Sequence, residues 1–301
     1  MTRASATDDT RNAQRAVRPS PATGSDAYAP KEIAARVRDV GVAKATLDLP
    51  SLFALAVLAG AFIALGACFS TLAIAGFEGS YGIQRLVAGF SFSLGLILVV
   101  LAGAELFTGN NLVVMAWASR LVTTRALLRS WAWVYAGNLV GTVATAVMVF
   151  LTAPWVTHSF QVDVVAVRIA LVKSQIPPLE AFFLGILANA LVCLAVWLCY
   201  GARSAGDKIL AILFPITAFV ALGFEHSIAN MYFLAMGLLL TTQPAVMAAG
   251  EWSADSLQVL SLWGALHNLV PVTLGNIVGG GGLVGGMYWF IYLRKGVRGS
   301  D

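Results

Sequence analysis

Between residues 52 and 293 the chain consists of long apolar stretches, and two of them carry a carboxylate at a depth no water should reach. Residues 209–223 (ILAILFPITAFVALG) and 231–240 (MYFLAMGLLL) contain no charged side chain, yet between them Glu225 and His226 stand side by side. A helix needs about 20 mostly apolar residues to cross a bilayer, and backbone inside one must satisfy its own polar groups. These runs therefore restrict the chain to a bundle of spanning helices, an all-α polytopic membrane protein. Composition agrees: 58% of residues are hydrophobic and 11% charged, with a mean hydropathy of +0.80, against roughly 25% charged in a soluble domain.

Six units are expected, at about 52–76, 86–122, 126–152, 179–200, 209–240 and 262–293. The second is interrupted near Glu105 and the fifth at Glu225. Basic residues orient them. They crowd before the first span and after the last (Arg294, Lys295, Arg298), and flank the second and fourth connections (Arg120, Arg125, Arg129, Arg203, Lys208). The other connections offer only Arg85, Arg168 and Lys173, so both termini are expected in the cytoplasm. The net charge of +4 is small and confined to loops and tails, which argues against nucleic-acid binding. Cys68, Cys193 and Cys199 lie in apolar runs without metal-type spacing and read as small buried hydrophobes. Residues 1–28 are polar, carry Pro19 and Pro21, and read as a disordered tail. Residues 29–50 carry an apolar stripe of Ile33, Val37 and Val40 and read as an amphipathic surface helix. The remainder, 51–298, is the six-helix domain.

The two interruptions match. GAELFTGN (residues 103–110) and GFEHSIAN (223–230) are both G-x-E-x-x-x-x-N, pairing Glu105 with Glu225 and Asn110 with Asn230. In the span after each break, GNLVG (137–141) answers GNIVG (275–279). Three spans repeated once insert in opposite directions. Broken helices at corresponding places in such an inverted 3+3 repeat point to a substrate site.

Each break presents the N-terminus of a half-helix, which favours anions. Glu105 and Glu225 need partners at this depth; Asn110, Asn230, Lys44 and Lys173 are the candidates, or each Glu simply holds its own loop. His226 has no counterpart, since Leu106 occupies the matching place. A buried imidazole would rest neutral, an arriving anion would draw a proton towards it, and Asn189 is the candidate to set its tautomer. Moving a small carboxylic acid in neutral form is the cheaper route. Protonation at pH 7 costs about 4 kcal/mol, whereas an idealised bare anion in an apolar constriction costs about 20 kcal/mol. Phe92, Leu96, Phe107, Val192 and Phe219 could form such constrictions, although spacing alone does not single them out from packing residues.

GAELFTGN, GILANALVCLAVW, GFEHSIANMYF and NLVPVTLGNIVGGG together resemble the formate–nitrite transporter family, and with GVAKAT before the first span the formate channel branch most. The resemblance covers residues 30–298; Glu105 stands where some formate channels have Asp. It implies an aquaporin-like homopentamer with one pore per protomer, carrying formate or another small monovalent anion or weak acid, with protons, across the inner membrane and needing no cofactor or metal. It also implies that His226 is the central proton-exchanging residue, with Thr108 and Asn189 as polar neighbours. Lys173, Glu225 and Asn230 would form one vestibule network and Lys44, Glu105 and Asn110 the other. Phe92, Leu96, Phe107, Val192 and Phe219 fall at the family's two hydrophobic slits. Nitrite or hydrosulfide is the competing substrate. An intramembrane enzyme is the reading from another class, but there is no HExxH and no Ser/His pair, and His158 and His267 lie outside the breaks. A water or glycerol channel would need Asn-Pro-Ala at the half-helix starts, which is absent.

Overall fold

The computed structural model describes residues 26–152, 160–250, 252 and 257–294. The expected tail falls outside these residues apart from 26–28, and so does His158. Among the described residues every regular element is a helix. Helix α1 (Pro30–Thr46) precedes α2 (Leu49–Ile74) and α3 (Tyr81–Ala102), and after a break a short 3₁₀ turn (Gly109–Val113) runs into α4 (Val114–Ala118). Next come α5 (Thr124–Thr152), α6 (Gln161–Gln175), α7 (Pro178–Gly201) and α8 (Ala205–Ala221). The second break leads to α9 (Ser227–Leu240) and the short α10 (Pro244–Ala249). The last unit is α11 (Leu262–Ile277), a π-helical stretch (Val278–Gly286) and α12 (Met287–Tyr292). Five of the units are long and apolar enough to cross a membrane; the broken fifth is divided between α8 and α9.

Contacts repeat in the two halves. Helix α2 packs on α3 and α5, and α7 correspondingly on α8 and α11, while α3 packs on α8 across the halves. Close approach rests on the repeated glycines. A Cβ at Gly141 would run into the Val57 carbonyl on α2, and one at Gly279 into the Ile186 carbonyl on α7. Small residues at such crossings let backbones meet inside a bilayer.

Two features depart from the sequence reading. The first helix stops at Thr46 rather than reaching residue 50, and Asp48 caps α2 by accepting from Ser51 N–H at 3.1 Å. Its buried face is Ile33, Ala34, Val37, Gly41 and Ala45, seated on α4, the 3₁₀ turn and α7. Tyr28 anchors its start, donating its backbone N–H to Gly201 O at 3.0 Å under the guanidinium of Arg36. The second feature is α6, a helix where the sequence predicts a connection. It is the second-half counterpart of α1: each precedes its three spans and carries a lysine in its last turn, Lys44 and Lys173.

Candidate functional site

Both breaks open with a glycine in the left-handed region, Gly103 at φ 81° and Gly223 at φ 77°, where a side chain would be strained. The chain then leaves the helix and would expose buried backbone groups, which must find partners. An asparagine from the following span supplies them. Asn138 accepts from Phe107 N–H at 2.9 Å and donates to Glu105 O at 2.9 Å and Ala56 O at 2.7 Å. Asn276 accepts from Ser227 N–H at 2.9 Å and donates to Glu225 O at 3.0 Å and Gly185 O at 2.8 Å. Neither was singled out from sequence, although both are the Asn of the repeated GN[LI]VG motif.

The two carboxylates are held alike. Glu105 takes Lys44 Nζ on Oε1 at 2.7 Å and Asn110 Nδ2 on Oε2 at 2.6 Å. Glu225 takes Lys173 Nζ on Oε1 at 2.8 Å and Asn230 Nδ2 on Oε2 at 2.6 Å. All four proposed partners are therefore in place. Asn268, which the sequence reading passed over, extends the second network by accepting from Asn230 at 2.7 Å and donating to Lys173 O at 2.9 Å. Its counterpart by the same spacing is Ser130, so this branch belongs to one half.

The breaks meet at their centre. Thr108 Oγ1 lies 2.9 Å from His226 Nε2, and both residues are buried. His226 is the N-cap of α9, its Nδ1 accepting from Ala229 N–H at 3.1 Å. A neutral ring with Nδ1 as acceptor carries its proton on Nε2, so His226 donates to the threonine hydroxyl. The cap corrects the role expected of Asn189, because the α9 backbone orients the ring and the hydrogen bonds of Asn189 go elsewhere. Its amide instead donates to Thr108 O at 3.3 Å, Asn111 Oδ1 at 2.7 Å and Asn276 O at 2.6 Å. It ties the first break to the α11 backbone and positions Thr108, as does Cys193 Sγ, which donates to Thr108 O at 3.2 Å. Gly280 gives the amide room: a Cβ there would meet Asn189 Nδ2 and Cys193 Sγ.

Apolar side chains enclose this pair. Phe219 stacks on His226 with centroids 5.9 Å apart and meets Phe92 edge-on at 5.6 Å. Leu96 and Val192 are buried in the same apolar cluster, and Phe107 is held by Tyr135 and Trp131. On the α1 side a cavity of about 240 Å³ opens, lined among others by Leu96, Lys44, Glu105, Asn110 and Lys208.

Spanning helices of which two break around a shared buried polar pair define a multi-pass helical membrane protein organised about a central polar site. The family model for formate/nitrite transporters matches residues 31–290. The formate channel FocA of Escherichia coli (strain K12) is 41% identical over 275 residues, covering 90% of this chain and 96% of that protein. An uncharacterised transporter of Bacillus subtilis, YrhG, is 38% identical over 88% of this chain and 94% of its own. Among solved structures, a pentameric formate channel with formate bound matches with a TM-score of 0.76 and 39% identity, over 81% of this chain and 98% of that one. An FNT family ion channel matches at 0.75 and 28%, over 86% and 98%. The chain belongs to the formate/nitrite transporter family. The relatives named for an activity are channels and transporters rather than enzymes.

Proposed function

We propose that this protein carries formate, with a proton, across the cell membrane as a homopentamer with both termini in the cytoplasm. The observation that carries the reading is the Thr108–His226 contact, which joins the two breaks between paired Lys–Glu–Asn networks. The names of the relatives, a formate channel and a pentameric formate channel with formate bound, support formate as the substrate.

The helices from α2 onward form the channel, with α1 (Pro30–Thr46) beside it. The Lys44–Glu105–Asn110 and Lys173–Glu225–Asn230 clusters support the breaks and shape a vestibule on either side. Phe92, Leu96, Phe107, Val192 and Phe219 exclude water between them, so that the acid crosses uncharged.

His226 and Thr108 exchange the proton. A proton added at Nδ1 displaces the Ala229 N–H bond. The Nε2 proton then passes to Thr108 Oγ1 as the threonine hydroxyl proton passes to the carboxylate. This leaves formic acid and a neutral ring protonated at Nδ1. Losing the cap adds about 1 kcal/mol to the roughly 4 kcal/mol that protonating such an acid requires at pH 7, so the cap is the smaller part of the cost. Asn189 acts by positioning Thr108.

Uptake into proteoliposomes of formate, nitrite, hydrosulfide and lactate in parallel tests the assignment. Formate should enter fastest and bring protons with it. Preference for nitrite or hydrosulfide would replace the substrate, and no uptake of any of them would remove the reading.

A further inference from the structure

Arg85 and Lys208 occupy matching places. Each lies in the first turns of a long helix, α3 and α8, and each approaches the end of the other helix where a break begins. Arg85 is tied there: its Nε donates to Ala221 O at 3.1 Å and a terminal nitrogen to Val220 O, the last carbonyls of α8. It completes that helix end, as a cation near a C-terminus should.

Lys208 reaches the corresponding end of α3 and does something else. It lines the α1-side cavity together with Val99, Val100, Gly103 and Ala104. Its backbone is engaged, the N–H with Ser204 O at 3.2 Å and the carbonyl with Cys199 Sγ. Among the described residues its ammonium has neither an ion-pair nor a hydrogen-bond partner; the neighbouring Asp207 is occupied with Ser204. The other charges lining this cavity are Lys44 and Glu105, which are paired at 2.7 Å and cancel. The unbalanced positive charge of the cavity is therefore that of Lys208.

We propose that Lys208 is the anion-gathering residue of the α1-side vestibule, the cation that first holds a small monovalent carboxylate before it reaches the Thr108–His226 pair. Lys44 is then a support for Glu105. This rests on the transport function proposed above and assigns its capture step to Lys208.

The test compares wild type with Lys208→Gln, Lys208→Met and Lys208→Arg in sealed vesicles of each orientation, measuring formate uptake against concentration at low and high ionic strength. The neutral variants should raise the half-saturating concentration about fivefold at low ionic strength, the effect of one exposed charge at contact. The difference should fade at high ionic strength. Maximal rate should stay unchanged, Lys208→Arg should restore wild-type behaviour, and only the orientation presenting this cavity to the substrate should respond. Unchanged half-saturation in both neutral variants, or a fall confined to maximal rate, overturns the assignment. Absence of uptake by the wild type itself counts instead against the transport reading.

Discussion

Thr108 and His226 are separated by 118 positions in the chain and by 2.9 Å in the fold. One belongs to the first break and the other to the second, so the central contact exists only when both halves are assembled. His226 also caps α9 through Nδ1, which couples the protonation state of the ring to the integrity of a helix start. A side chain that caps the helix without titrating therefore separates proton exchange from structural support.

His226→Asn should keep the helix start while abolishing proton exchange, because asparagine is among the best N-caps. Its thermal stability in detergent should stay close to wild type, while formate uptake loses its dependence on pH. His226→Ala should lose both, with about 1 kcal/mol of stability gone. Uptake by the Asn variant that still follows the wild-type pH profile would exclude His226 as the exchanging group.

Lys173 is only 13% exposed and bonded to a Glu225 carboxylate that is 5% exposed. Removing one member of such a pair strands the other, at a cost of about 3–5 kcal/mol. Lys173→Gln should therefore lower the melting temperature and the maximal uptake rate at every ionic strength, on top of any low-salt loss of anion attraction. The double variant with Glu225→Gln should recover much of the stability. A loss of uptake seen only at low salt, in a fully stable protein, would mark Lys173 as purely an attractor.

Asn276→Ala leaves Ser227 N–H and the carbonyls of Glu225 and Gly185 without their side-chain partner. Each unsatisfied buried group costs about 1–3 kcal/mol. A large fall in thermal stability and loss of uptake are expected, and Asn138→Ala should behave alike because it removes the equivalent set. Thermal unfolding of both variants checks the equivalence of the two breaks.

Asp207, at the exposed start of α8, gives a stability signal outside the membrane. The Ser204 hydroxyl and backbone N–H hold its carboxyl below the usual 3.8. A depressed folded value means the contribution is present above 3.8 and is lost as pH falls through the lower folded value. Asp207→Ala should therefore melt earlier than wild type near neutral pH, with the gap closing below pH 3.8. Melting curves of the two proteins across that window read the effect directly.

Local pattern carried far into this protein. The length of the apolar runs dictated six spanning units, because a bilayer sets a minimum helix length whatever the helices pack against. The repeated G-x-E-x-x-x-x-N located both breaks, and the need of a buried carboxylate for a cation pointed to Lys44 and Lys173. Helix α6 escaped notice because its apolar face is diluted by polar residues and hydropathy does not register it. The side-chain partners were a different matter. A hydrogen bond depends on where helices cross, and no spacing along the chain encodes that crossing. Only the tertiary structure decided that Asn189 links the first break to α11 while Ala229 orients His226, that Asn138 and Asn276 hold the unwound backbone, and that Arg85 is tied to a helix end while Lys208, among the described residues, has no hydrogen-bond or ion-pair partner for its ammonium.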